Sequence, residues 1–322
     1  MIVWPRPQAN IITIYQRFNQ LVNLDKTSTF RSFYQRVCGL KLYSVPKSTR
    51  KPIKLRYLSP VLVVGLSRCA LSALVLSNSS TVANVKRANM SAFIDADKLF
   101  DDAKYDELFE FLKTQPNWQN DSQILWRLAR CEFQLAKKVE SSQKEKYAEL
   151  LESAYGHVQE SLKIDDKNGL AHKWAAILLD AVSTMKGTKE RVLQVLNVRQ
   201  HMEKAVEYAP NDATSYYLLG EWHYSCYQVS WWERKLASVA FGKLPDADME
   251  VALKMFEKAE EVEKDFYSKN KLMLAKTLLE LKRDKERALA ILEDVVSKYS
   301  SSEKWDDKEA VTESQKLLKQ HK

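Results

Sequence analysis

Glycine and proline are scarce: seven and eight in 322 residues. A β-sandwich or barrel with many tight turns is therefore disfavoured, and the Ala, Leu, Glu and Lys that fill the long stretches favour an all-helical chain. The four cysteines, Cys38, Cys69, Cys131 and Cys226, show no C-x-x-C spacing. They read as reduced thiols of an intracellular protein rather than as metal ligands. No G-x-x-x-x-G-K-[ST] loop, G-x-G-x-x-G or H-E-x-x-H is present, so the main phosphate-cradling and zinc-hydrolase signatures are missing. The five histidines are dispersed, and no Ser-His-Asp set is suggested by spacing. Sequons at Asn78, Asn89 and Asn120 lack a secretory context. A non-enzyme without cofactor or metal is expected.

Acidic residues are also absent where they would be expected. Residues 1–87 hold 14 Lys/Arg and one acid, Asp25, a net +13; residues 88–322 hold 36 Lys/Arg and 41 Asp/Glu, a net −5. A basic arm thus precedes a mildly acidic body. Residues 1–57 suit either a mitochondrial presequence or a disordered basic arm that docks on acidic partners. No long apolar run occurs. The best candidate lies within 58–76, where Val61 to Leu76 is 16 residues long and carries Arg68. A spanning helix needs ~20 apolar residues, and a central arginine costs roughly 2.5–3.5 kcal/mol on insertion. The segment reads as a marginal membrane anchor, or as part of a targeting region, or as a helix packed on the body. Residues 77–90 look like a linker.

What is present is helical periodicity. In Val198 to His223, an apolar run (Val198, Met202, Ala205, Val206) stops at Ala209-Pro210, since proline cannot continue a helix. Asn211-Asp212 offers turn and N-cap chemistry. A second run then places Tyr216, Leu219, Gly220 and His223 on one face. Tyr216-x2-Leu219-Gly220-x2-His223 resembles the first half of a tetratricopeptide repeat. Ala205 and Gly220 are the small residues that let two antiparallel helices approach, and His223 reads as a buried, satisfied histidine.

Related periods recur from about Ser91. Phe93, Ala96, Leu99, Phe100 and Ala103 predict one helix; Tyr105, Leu108, Phe109 and Leu112 predict its partner. Trp126-x2-Ala129-x3-Phe133 is a loose first half, and Ala154-x3-Val158-x2-Ser161 a second half. Trp174 begins another helix, Ala252-x3-Phe256-x2-Ala259 restores the phase, and Ala288-x3-Leu292-x2-Val295 repeats it. Trp305 to Leu318 reads as a polar capping helix. Insertions are expected at 138–146 and 225–246. The expected fold is an all-α, tetratricopeptide-like superhelix of four or five antiparallel helix pairs over 91–322. Its core residues are Trp126, Trp174, Tyr216, Leu219, Gly220, Phe256 and Ala259, and a disordered or membrane-associated arm precedes it.

Several stretches together resemble the regulator of microtubule dynamics family: Leu125-Trp126-Arg127-Leu128-Ala129-Arg130, His172-Lys173-Trp174, Pro210-x-Asp212-Ala213-Thr214-Ser215 and Phe266-Tyr267-Ser268-Lys269-Asn270. The likeness covers residues 93–320. It departs at Ser230, where a proline would precede the tryptophan, and at Lys264, where the last repeat's proline would stand. The resemblance implies a helical protein associated with microtubules, spindle and spindle poles, in cytoplasm and cytoskeleton. Some members carry an N-terminal membrane segment and sit on mitochondria. Tubulin is the implied partner; nucleic acid is not. Other proteins could engage the groove, and 58–76 could touch a membrane.

Two clusters are candidate partner sites. Trp231, Trp232, Arg234 and Lys235 form either a binding knob or a plug, with the tryptophans between repeats and Arg234 and Lys235 facing water. Arg127 and Arg130 either line a groove for an acidic peptide or pair with acids such as Glu132. The leading function is a non-catalytic interaction protein that helps organise the spindle. The alternative is a mitochondrial membrane-tethered adaptor whose groove takes a peptide or lipid.

Overall fold

The structure is a computed structural model, and it describes residues 91–321 apart from 232, 233, 236 and 239–244. The basic arm, the apolar segment 58–76, the linker, Cys38, Cys69 and Trp232 lie outside the described residues.

Helices form where the apolar spacing predicts them, and acidic or amide side chains cap five of them. Helix α1 spans residues 91–101, α2 Tyr105–Thr114, and a 3-10 turn covers Trp118–Asn120. Then come α3 Ser122–Val139, α4 Lys144–Ile164, α5 Gly169–Lys186 and α6 Thr188–Tyr208. The last five are α7 Ala213–Tyr227, α8 Met249–Val262, α9 Ser268–Glu280, α10 Lys285–Tyr299 and α11 Trp305–His321. Asp121, Asn168, Asp212, Asp248 and Asp284 each accept a backbone N–H from the first turn of α3, α5, α7, α8 and α10. Such a cap stabilises a helix by ~1 kcal/mol.

The helices pack as consecutive pairs: α3 with α4, α5 with α6, α7 with α8, α9 with α10, while α1 and α2 share a core with α3. The second helix of each pair also packs on the first helix of the next, and α11 closes the row against α9 and α10. Five pairs and a cap therefore occupy 91–321. Three apolar cores follow one another: Phe100, Leu108 and Leu128 in the first, Phe133, Leu151 and Trp174 in the second, Phe256, Leu278 and Leu292 in the third. Trp126, Trp174, Tyr216, Leu219, Phe256 and Ala259 are all buried. Burying a large apolar side chain contributes roughly 1.5–3 kcal/mol.

Three features differ from the sequence reading. The expected insertion at 138–146 shrinks to a short connection at 140–143, since α3 runs to Val139 and α4 starts at Lys144. Residues 225–227 likewise belong to α7, and the true interruption is 228–248, inside the fourth pair. Ala103, expected in α1, instead sits in the turn with φ of 57°.

A candidate binding cleft and the predicted site residues

Glycine sets how closely the central helices meet. A β-carbon on Gly220 would lie 2.8 Å from Cε1 of Phe256, so α7 and α8 touch where only a hydrogen fits. Gly169 is tighter still: an added β-carbon would sit 2.5 Å from the Ala209 nitrogen. In sequence it follows Asp165-Asp166-Lys167-Asn168, a run that breaks and recaps the chain. The fold uses the glycine to seat the start of α5 against the end of α6.

Polar clasps join successive pairs. Arg127 donates to both carboxylate oxygens of Asp97, at 3.0 and 2.8 Å, and Arg130 donates to the same carboxylate, tying α3 to α1. Both guanidiniums stack on aromatic rings, Arg127 on Trp126 at 4.3 Å and Arg130 on Phe100 at 3.9 Å. Burial pushes the Asp97 carboxyl up, but the hydrogen bonds and charges of the two arginines outweigh it and hold it below the ordinary carboxylate value. The acid partner is thus Asp97, not Glu132. Asn168 donates to Ser122 at 2.8 Å between the second and third pairs. Lys173 donates to Asp212 at 2.7 Å between the third and fourth. At the last junction Tyr267 donates to Asp306 at 3.1 Å and Lys269 to Glu309 at 2.8 Å.

Glu132 is engaged elsewhere. It accepts from Ser153 Oγ at 2.8 Å and from His157 Nδ1 at 2.7 Å. The carboxylate sits between serine and histidine, so the serine has no imidazole base beside it, the reverse of a nucleophilic triad. His172 and His201 form a second pair. His172 Nε2–H donates to the Asp166 carbonyl at 2.9 Å, which leaves its Nδ1 to accept from His201 Nδ1–H at 2.8 Å. Burial lowers both, His201 to about 4, so both are neutral at pH 7. His223 is buried, and its Nδ1 accepts the Asp248 N–H at 3.2 Å. Burial raises the buried thiols Cys131 and Cys226 to about 12. Among the described residues no group of three or more His, Cys, Asp or Glu is arranged to hold a metal. No described helix is long and apolar enough to cross a membrane.

The aromatic–basic cluster is divided. Trp231 is 74 % exposed and plugs nothing, contrary to the plug reading. Lys235 is exposed, as that reading had it, but Arg234 is only partly exposed and turns its guanidinium to the backbone. Its guanidinium donates to the carbonyls of Val229 at 3.2 Å, Pro245 at 3.1 Å and Cys226, fastening the interruption to the end of α7.

A cleft of about 420 Å³ opens between α7, α9 and α11. Each helix contributes one stripe at 3- and 4-residue spacing: Tyr217, Glu221 and Tyr224 from α7; Lys269, Leu272, Met273 and Lys276 from α9; Glu309 and Glu313 from α11. The sequence reading passed these over, because charged residues beside the repeat core look like a solvated face. Their signal was position: Tyr217 and Glu221 each directly follow a core residue, Tyr216 and Gly220. Burial raises the Glu221 carboxyl, and the Lys269 charge and the Tyr217 hydrogen bond offset this only in part.

The fold and its clasps define a class: a helix-pair solenoid with an inner cleft, of tetratricopeptide type. The profile of a family described as regulator of microtubule dynamics protein 1-3 matches residues 93–322. Regulator of microtubule dynamics protein 1 of Mus musculus is 36 % identical over 223 residues, 69 % of this chain and 72 % of its own. The Pongo abelii protein of that name is 32 % identical over 259 residues, 79 % of this chain and 81 % of its own. Regulator of microtubule dynamics protein 2 of Bos taurus is 29 % identical over 62 % of this chain and 48 % of its own. Among solved structures, a thermophilic TPR protein of Thermus thermophilus covers 71 % of this chain and 99 % of its own at 14 % identity, with a TM-score of 0.47. The chain belongs to the regulator of microtubule dynamics family.

Proposed function

We propose that this protein is a non-catalytic, microtubule-associated interaction protein that acts in spindle organisation or chromosome segregation. Its place is cytoplasm, cytoskeleton, spindle and spindle pole. The observation that carries the reading is its family, whose relatives are named as regulators of microtubule dynamics. The physical route is electrostatic. Residues 1–57 serve as a basic arm and 58–90 as an apolar segment and linker ahead of the helical domain at 91–322. The acidic body gains little from long-range attraction to an acidic lattice, whereas the +13 of residues 1–87 supplies salt-dependent affinity. Screening at physiological salt reaches ~8 Å, so these charges act only in close contact.

Within the helical domain, the exposure of Trp231 and Lys235 supports a role for them in meeting a partner. Arg127, Arg130 and Arg234 each have guanidinium donors bonded within the fold, although Nε of Arg130 has no partner among the described residues. Co-sedimentation with microtubules tests the reading. Binding by the full chain should weaken as salt rises, and weaken further when residues 1–87 are removed. If the truncated chain pellets equally well with little salt dependence, the arm is not the binding element.

The inner cleft favours a second reading, in which the protein is a mitochondrial membrane-tethered adaptor that holds a ligand there. Imaging of a fluorescent fusion with and without residues 1–87 separates the two. Spindle signal supports the first, and mitochondrial signal lost on truncation supports the second.

A further inference from the structure

The charges around the inner cleft do not cancel at every point. Lys269 is matched by Glu309 at 2.8 Å, Lys276 by Glu313 at 3.9 Å, and Lys308 by Glu303 at 2.6 Å. Asp180, on the neighbouring helix α5, is matched by Arg191 at 2.8 Å. Glu221 stands among these pairs without one. Its carboxylate accepts from the Tyr217 phenol one turn earlier, but among the described residues no lysine or arginine makes an ion pair with it. The Lys269 charge offsets the burial of Glu221 only in part, and a carboxylate left partly desolvated with incomplete compensation favours a cation brought to it.

The surrounding walls fit the rest of such a ligand. Leu272 and Met273 of α9 offer apolar surface for an aliphatic stem. The Tyr217 and Tyr224 rings line the same space, and the Lys276 ammonium already lies 5.9 Å from the Tyr224 ring centroid. The volume of about 420 Å³ lies at the small end of ligand pockets, ~300–1,000 Å³. It suits one long side chain with its flanking backbone rather than an extended chain of many residues.

We propose that the cleft between α7, α9 and α11 is a peptide-binding site that captures an arginine or lysine side chain of a partner protein, with Glu221 as the anchoring carboxylate. The Tyr217 hydrogen bond holds the Glu221 carboxylate in place. The ion pairs on either side keep the neighbouring lysines from repelling the incoming cation. Partner segments with isolated basic residues among small ones fit best, since the cleft has room for one.

Isothermal titration of the full chain with a short probe tests this. The probe is an acetylated, amidated pentapeptide with a central arginine between glycines; its controls carry citrulline or glutamate in that place. The arginine probe should bind at least ten-fold more tightly than the citrulline one, because citrulline keeps the shape and loses the charge. Glu221→Gln should abolish that preference while the melting temperature stays within a few degrees of the parent. Glu221→Asp, which keeps the charge, should retain part of the preference, and this distinguishes anchoring from a folding defect. Equal binding of the arginine and citrulline probes overturns the proposal. So do an unchanged preference in Glu221→Gln, tighter binding of the glutamate probe or of phosphatidylserine vesicles, and no binding of any peptide.

Discussion

At the scale of single residues, two glycines show what a motif conveys and what it omits. Gly220 lay within a recognisable pattern, and its contact with Phe256 is the close approach which that pattern implies. Gly169 carried no such signal, yet its contact is harder. A phenyl ring can tilt away from a new methyl group, whereas the backbone at Tyr208–Ala209 is pinned by the Ala209 N–H bond to Ala205 at 2.9 Å. Overpacking typically costs about 1–3 kcal/mol. Gly169→Ala should therefore reach or exceed the top of that range, and Gly220→Ala should stay below it. In a domain of this size each kcal/mol lowers Tm by ~2–4 °C. Thermal melts that rank the two the other way would show that α5 and α6 can separate more easily than Phe256 can turn. Arg127 and Arg130 carry a related lesson. Glu132 is near them in sequence, but steps of two and five residues do not place side chains together on a helix. The carboxylate that pairs with them comes from α1, 30 residues before Arg127.

At the scale of elements, helix starts were legible and the joints between pairs were not. Asp212 as a cap follows from its place after proline and before an apolar run, and it accepts the Ser215 N–H at 2.9 Å. Its second engagement, with Lys173 of α5, depends on two helices standing side by side. The stretches that carried the family resemblance supply many of these joints: Arg127 and Arg130, Lys173 and Asp212 clasp one pair to the next, and Tyr267 and Lys269 clasp the last pair to the capping helix. The histidine pair between α5 and α6 makes that junction sensitive to acid. His172 and His201 face each other with Lys204 nearby and Asp165 and Asp166 on the preceding turn. Their folded values lie below the ordinary 6.5, so the unfolded chain binds protons first as pH falls. Their contribution is fully present above pH 6.5 and is lost as pH drops towards the folded value of about 4 for His201. Urea midpoints measured from about pH 7.5 to about pH 4.5 should decline through this window, and His201→Gln should flatten the decline. A parallel slope in the variant would remove the pair from the account.

At the scale of the whole chain, the three cores run continuously from α1 to α11, so each pair is stabilised by its neighbours rather than by one shared centre. The capping helix buries Ala310, Val311 and Ser314 on the inside and leaves charged residues outside, which ends the row without an exposed apolar face. Residues 91–322 should therefore fold without the basic arm. Circular dichroism of that fragment should give an α-helical spectrum with a cooperative melt. Substantial β-structure, or a melt without cooperativity, would refute the assignment.

The sequence by itself determined the helices, their pairing and the polar last turn of the solenoid, because these depend on spacing along one strand of chain: apolar steps of three and four, prolines and aspartates at the breaks, and small residues at repeat positions. The tertiary structure alone decided which charges meet. Asp97 serves two arginines on α3, Arg234 is spent on backbone carbonyls while Trp231 stands in solvent, and Glu221, in a cleft built from three helices, makes no ion pair among the described residues although the Lys269 charge acts on it. Those outcomes depend on distances between elements far apart in the chain. A side chain's charge is written in its sequence, but its partner and its contact with water are set only when the helices have packed.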